Sequence, residues 1–302
     1  MKKALVVGLN TYQTQKSLRG CLNDAADVAA LLKDSFHFDQ VLTLPEATVT
    51  KVSLVAALNT LFRAEPGETD GERVFFFAGH GGRVFDLNGD EVDHIDENLC
   101  MPDYDSSKPE TYLLDDEFAD ILQAAYVAAP TLRRFILLDS CHSGTATREV
   151  DTTLDWETVD RRIKTAFLVS TPAALHWRAN DPRLALACVP RMAEDPPALA
   201  AALANTDPGA ISSSSFGTGE NSEPVSHQLL SGCNDSQTCK DVPLDGVYRG
   251  IFTYTLCQLA RANPDISWQA LRDQVTQVIE NTFGQSPQLE GPAAMKLLPI
   301  FR

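Results

Sequence analysis

No stretch of this 302-residue sequence approaches the roughly 20 consecutive apolar residues that a membrane-spanning helix needs. The opening MKKALVVGLNTY places basic residues ahead of an apolar stretch, as a signal peptide does. That stretch runs only from Ala4 to Leu9, is interrupted by Gly8 and gives way to polar residues, so it reads as a first strand. Positive charge is scarce: 25 Lys and Arg face 41 Asp and Glu, for a formal net charge of −16. This deficit argues against nucleic acid as a partner, which needs clustered cations, and suits a cationic substrate. Cysteine pairs at zinc-ligand spacing are also missing. The seven cysteines are odd in number and irregularly spaced, as expected of reduced thiols in a cytoplasmic protein rather than of a disulfide framework. Cys233 and Cys239 have no second pair to complete a zinc site and read as structural, and Trp268 reads as a packing residue. No internal repeat is found, and the chain is expected to be a single monomeric domain.

What the sequence does contain is a pair of short apolar runs that end in chemistry. Val74 to Ala78 and Phe135 to Leu138 are uninterrupted and bounded by polar residues, the pattern of strands covered on both faces of a parallel sheet. The first leads to His80 and the second to Cys141. In open α/β sheets ligands bind outside the carboxyl ends of the strands, so both side chains are expected at one edge. Gly79, Gly81 and Gly82 flank the histidine and Gly144 follows the cysteine, allowing sharp turns and close approach of a substrate.

Around these runs the spacing predicts strands at Lys3 to Gly8, Gln40 to Leu44, Ile163 to Ser170, Ser226 to Gly232 and 286 to 290. Helices are predicted at about 23 to 34, 50 to 64, 115 to 126, 249 to 262 and 266 to 282. Strands alternating with helices imply a three-layer α/β/α sandwich with a mostly parallel central sheet. Residues 172 to 225 break the pattern. Their prolines and the run ISSSSFGTGENSEP (211 to 224) read as an inserted linker between a part comprising 1 to 171 and a part comprising 226 to 302, with a short helix at 198 to 205.

Cys141 and His80 have the chemistry of a nucleophile and its base. A thiolate attacks a peptide carbonyl, and an ordinary thiol is only a few per cent ionised at neutral pH, so an imidazole must assist. The imidazolium then protonates the leaving amine. Backbone N–H groups of Gly81 and Cys141 are candidates to hold the oxyanion. His142 is adjacent to Cys141, but neighbouring side chains seldom converge, and it reads as scaffolding.

FAGHGG (77 to 82), DLNGDEVDHIDE (86 to 97), LLDDEF (113 to 118) and LLDSCHSG (137 to 144) occur in that order. They are joined by VVGLNTY (6 to 12), LRGCLNDA (18 to 25), LLSGCNDSQTCKD (229 to 241) and FTYTL (252 to 256). In this ordered set the chain resembles a metacaspase of the bacterial type I-like kind, within the caspase-like cysteine peptidases; only about 146 to 225 has no counterpart. The resemblance implies a caspase-like fold and an endopeptidase that cleaves basic peptides or proteins after Arg or Lys. Asp24 and Asp139 would line the pocket for the basic side chain, with Cys21 nearby, and Ala78 stands where many members carry serine. It further implies an activating calcium on Asp96, Asp115 and Asp116, with Arg148, beside Glu149, where a fourth ligand would be an aspartate. The loop 86 to 97 is no EF-hand, because Glu91 takes the place of the obligatory glycine. Self-processing would fall at Arg178, Arg183 or Arg191 in the Pro-rich insertion. Two rivals stand beside this reading: a caspase-type enzyme cutting after Asp, which would need basic pocket residues, and a catalytically silent scaffold.

Overall fold

The structure, a computed structural model, describes residues 1–85, 95–140, 189–190, 227–234, 237–244 and 246–301. The chain runs through β1 (Lys2–Gly8), α1 (Cys21–Ala30), β2 (Gln40–Thr43), α2 (Lys51–Phe62), β3 (Glu72–Ala78), β4 (Gly81–Phe85), β5 (Ile95–Cys100), β6 (Tyr112–Leu114), α3 (Asp115–Ala128) and β7 (Arg133–Asp139). It continues through β8 (Val189–Pro190), β9 (Gln228–Ser231), β10 (Lys240–Leu244), β11 (Val247–Gly250), α4 (Ile251–Ala262), α5 (Trp268–Phe283), β12 (Gln288–Glu290) and α6 (Ala293–Lys296).

Six strands form the central sheet in the order β12-β9-β7-β3-β1-β2, parallel except for β12 against β9. Every residue of β3 is buried, because the strand has a neighbour on each side and helices on both faces. Adjacent residues point to opposite faces. Phe75 meets Phe118 of α3 with ring centroids 5.6 Å apart, and Phe118 in turn meets Phe62 of α2. On the other face Phe135, the register partner of Val74, stacks on Trp268 of α5 at 5.0 Å and 19°. Trp268 is thus a core residue. The helices α1, α4 and α5 pack in succession on that face and α2 packs with α3 on the first, completing the expected α/β/α sandwich.

Local sequence accounts for the helix boundaries. Thr50 and Ser53 exchange side-chain and backbone hydrogen bonds across the first turn of α2. Ser267 caps α5, which ends at Gly284 in the left-handed region, φ 64°. The helix expected to continue from α1 to residue 34 instead closes in a π-helical turn over Leu31–Ser35. The helix expected from 249 begins two residues later, because Val247–Gly250 pairs with β10. Two small antiparallel sheets, β4-β5-β6 and β11-β10-β8, had no clear sequence signal. Val189–Pro190, within the stretch read as an insertion, contributes the β8 strand to the second. The strand predicted at Ile163 to Ser170 and the helix at 198 to 205 lie outside the described residues. Among the described residues no helix is long and apolar enough to cross a membrane.

Opposite the carboxyl edge, Lys3, Arg73 and Arg134 lie on one rung of β1, β3 and β7. Lys3 pairs with Glu65, Arg73 pairs with Glu68, and Arg134 donates to the Ala125, Ala129 and Leu132 carbonyls at the end of α3. Buried His227 belongs to this end. Burial, and secondly the positive charge of Arg134, lower its pKa to about 4. A histidine whose folded pKa lies below its unfolded value contributes stability that is present above about pH 6.5 and is lost as the pH falls toward 4, because only the unfolded chain takes up the proton in that window. His227→Gln is therefore expected to flatten the acid limb of stability by on the order of 2–3 kcal/mol between pH 6.5 and 4, read from paired denaturant titrations. Parallel pH curves for the two proteins would refute it.

Candidate active site

The strands β1, β3, β7 and β9 all run in one direction and finish at one edge, at Gly8, Ala78, Asp139 and Ser231. Their pairing continues past the strand ends: Leu9 N–H reaches Ala78 O at 2.9 Å, Gly79 N–H reaches Asp139 O at 3.4 Å and Gly232 N–H reaches Leu138 O at 2.8 Å. Each residue of β3 is paired with the residue 61 positions later in β7, from Glu72 with Arg133 to Ala78 with Asp139. The same offset relates residue 80 to residue 141. Cys141 itself lies outside the described residues, as do His142, Arg148 and Glu149; the described chain before it ends at Ser140, which is buried at 2 % exposure.

His80 is held on three sides. Its backbone N–H donates to the Tyr12 hydroxyl at 2.8 Å, its carbonyl accepts from Cys100 N–H at 3.1 Å, and its ring meets the Tyr12 ring edge-on at 4.6 Å. Ring atom Nε2 lies 2.7 Å from the Lys16 carbonyl oxygen. A carbonyl can only accept, so Nε2 carries the proton and, in the neutral ring, Nδ1 is the basic nitrogen. The bond from Cys100 N–H to His80 O also makes Gly81 and Leu99 the pair without mutual hydrogen bonds in the β4–β5 ladder. The Gly81 N–H is thereby directed away from β5.

The acidic residues singled out from the sequence sit beside this edge. The start of α1 packs onto the end of β1 so closely that a Cβ on Gly8 would lie 2.2 Å from the Cys21 carbonyl oxygen. Cys21 N–H donates to Asn10 Oδ1 at 2.9 Å. Asp24, with no exposed surface, accepts the Gly250 N–H on both carboxylate oxygens at 2.9 and 3.0 Å. Asp139, also fully buried, accepts from Thr253 N–H at 3.3 Å and from the Thr253 hydroxyl. Gly250 and Thr253 both belong to the first turn of α4, so two carboxylates distant in sequence converge on one helix N-terminus, where negative charge is favoured.

Sequence reasoning missed Asp241. Fully buried in β10, it accepts the Arg19 N–H at 2.9 Å and the Gly20 N–H at 2.8 Å. The Lys16 carbonyl and Thr253 were missed too, since neither a backbone atom nor a common helix residue has a compositional signal. Of the thiols outside the active site, Cys257 is the inert extreme: burial pushes its pKa up. Cys233 and Cys239 are brought together, their Sγ atoms 3.2 Å apart.

Asp96 and Asp115 are buried on β5 and at the start of α3, with Asp116 following. Among the described residues no three His, Cys, Asp or Glu side chains converge to hold a metal, so Asp96, Asp115 and Asp116 do not compose a calcium site by themselves. Arg83 makes an ion pair with neighbouring Glu97 at 3.2 Å. Arg178, Arg183 and Arg191 lie outside the described residues.

A sequence profile of the metacaspase, peptidase C14 domain matches residues 2–149. Metacaspase-1 of Schizosaccharomyces pombe is 27% identical over 95% of this chain and 66% of its own length. Metacaspase-1B of Aspergillus clavatus is 27% identical over 95% of this chain and 68% of its own length, and Metacaspase-1 of Yarrowia lipolytica is 28% identical over 95% and 61%. The chain thus spans about two thirds of the length of these curated relatives. The crystal structure of a protein from Geobacter sulfurreducens superimposes with a TM-score of 0.60, covering 99% of this chain and 98% of that one at 21% identity, which speaks to the fold alone.

Replacing Thr253 by Val keeps the shape and removes the hydroxyl donor from buried Asp139. We expect it to cost about 1–3 kcal/mol in urea unfolding. An unchanged midpoint would show that this bond does not hold the carboxylate.

Proposed function

The chain belongs to the metacaspase family, which its residues 2–149 match, and from that membership we propose that it is a cysteine endopeptidase cleaving after Arg or Lys, with Cys141 as nucleophile and His80 as general acid and base. The observation that carries this reading is the β3–β7 register. Two parallel neighbours, about 4.8 Å apart, end at Ala78 and Asp139, and each is followed by the residue with the required chemistry two positions on. The Lys16 carbonyl supports it further by fixing the proton on Nε2, which leaves Nδ1 to take the thiol proton. In this mechanism the thiolate attacks the scissile carbonyl and the Gly81 and Cys141 N–H groups receive the oxyanion. The imidazolium protonates the leaving amine, and water then resolves the acyl-enzyme.

Asp24 and Asp139, with Cys21 at the start of α1, supply the acidic environment for the basic side chain of the substrate. Their convergence on the first turn of α4 supports a shared pocket. Their complete burial favours a second reading, in which both carboxylates serve only to fasten α4. The two readings differ in what Asp24→Asn does. A pocket carboxylate lost raises KM for Arg and Lys peptides at least tenfold with little change in the unfolding midpoint, whereas a fastening carboxylate lost lowers the midpoint and leaves the KM of the remaining folded enzyme alone.

Calcium enters this proposal as a stimulus bound by Asp96, Asp115 and Asp116 together with a further oxygen ligand, for which Glu149 is the candidate next to Arg148; no step of the reaction is routed through it. Self-cleavage at Arg178, Arg183 or Arg191 is proposed on sequence grounds, and a net charge of −16 favours encounter with basic protein substrates.

Matched Arg, Lys and Asp peptide substrates, assayed with wild type, Cys141→Ala and His80→Ala in calcium and in chelator, test the whole reading. We expect turnover of the Arg and Lys peptides by wild type alone, with losses of three or more orders of magnitude in both variants. Equal turnover by wild type and Cys141→Ala would overturn the nucleophile, preference for the Asp peptide would overturn the pocket, and silence of the wild type toward all three would favour the scaffold.

A further inference from the structure

Cys233 and Cys239 bracket the turn that follows β9, next to the point where β7 delivers the chain to residue 141. Both thiols are buried, at 5 % and 0 % exposure. Their sulfurs lie 3.2 Å apart beside the Ser140 carbonyl oxygen, which is 3.4 Å from Cys239 Sγ and 3.7 Å from Cys233 Sγ, while Cys233 Sγ also lies 3.5 Å from the Gln237 carbonyl oxygen. Ser140 immediately precedes Cys141, and its carbonyl sits on the peptide unit whose N–H is that of Cys141. The entry to the turn is independently held. Ser231 Oγ donates to the Cys233 carbonyl at 3.1 Å, and Gln285 Nε2 donates to Gly232 O at 3.2 Å. Closing the remaining distance to a disulfide of about 2.05 Å therefore asks for side-chain rotation more than for remodelling of the turn.

We propose that Cys233 and Cys239 are an oxidation site: a peroxide joins them in a disulfide, removes the S–H donation that the Ser140 carbonyl receives, chiefly from Cys239, and thereby lowers the activity of the neighbouring nucleophile. One thiolate attacks a peroxide oxygen and becomes a sulfenic acid as hydroxide leaves and is protonated to water. The second thiol then displaces the sulfenic oxygen as a second water and forms the S–S bond. Two thiols lose two electrons and two protons, and hydrogen peroxide is reduced to two waters. Because only five residues separate the cysteines, the cross-link gains little from loop closure and stays within reach of thiol reductants. The disulfide itself stands on the geometry, while its effect on peptide cleavage rests on the function proposed above.

The sequence makes the site separately readable, because trypsin should release Met192 to Lys240 as one peptide that contains Cys233 and Cys239 and no other cysteine. In the full-length Cys141→Ala protein treated with hydrogen peroxide, this peptide is expected two hydrogens lighter and refractory to alkylation, with both thiols regained after dithiothreitol. Two alkylatable thiols, or pairing of either with another cysteine, would overturn the site whatever the protein's activity. In the second arm, wild type and Cys239→Ser, whose hydroxyl retains a donor to Ser140, are incubated in glutathione buffers of graded potential and assayed on Arg peptides. Wild type is expected to lose activity about tenfold or more in step with the mass change, and Cys239→Ser to keep severalfold more under the same buffer. Equal loss in both would overturn the regulatory role while leaving the disulfide standing, and no basal turnover in either would fall on the proposed function instead.

Discussion

Three carboxylates with no exposed surface, those of Asp24, Asp139 and Asp241, must each find hydrogen-bond donors inside the protein, and the carboxyl edge of the sheet is organised by how they find them. Asp241 takes the N–H groups of Arg19 and Gly20 at the start of α1, while Asp24 within α1 takes the N–H of Gly250 at the start of α4. Asp241 and Gly250 are themselves partners in the β10–β11 hairpin. The amino-terminal half and the carboxyl-terminal hairpin thus grip each other reciprocally. A helix N-terminus suits this purpose because its first N–H groups have no partner within the helix and carry partial positive charge. An uncompensated carboxylate at any of these places would cost several kcal/mol, so the arrangement tolerates little displacement of α1 relative to α4.

The same grip brings the residues of the proposed site to one place. Fixing α1 over the end of β1 places Cys21 and Asp24 against the sheet edge, and Thr253 on Asp139 ties the end of β7 to the same helix start. His80 is oriented separately, through Tyr12 and Lys16 in the segment between β1 and α1. One segment, from Asn10 to Asp24, therefore holds both the imidazole and a buried carboxylate of the proposed site, so damage to its packing would displace both.

The thiols show how position divides one chemistry into several behaviours. Cys257 lies wholly inside α4, where desolvation disfavours the thiolate. Cys233 and Cys239 face each other across a short turn and share the carbonyl of Ser140. Their residue types are the same as that of Cys141, and only their surroundings distinguish them.

By itself the sequence determined the sandwich and the central strands, and it set a histidine and a cysteine each two residues beyond the end of such a strand. Those features rest on local signals: uninterrupted apolar runs such as VFFFA, glycines beside His80, and Ser or Thr at helix starts. Even there the boundary at α4 was misplaced by two residues, because the pairing of Gly250 with Asp241 is not a local property. Tertiary structure alone decided that Asp241 holds the start of α1, that Lys16 offers a backbone oxygen to His80, and that Cys233 and Cys239 meet over Ser140. Each of these joins residues that no periodicity relates, or uses a backbone atom that every residue possesses, and such contacts come into being only when the sheet has set its register and brought its strand ends into line.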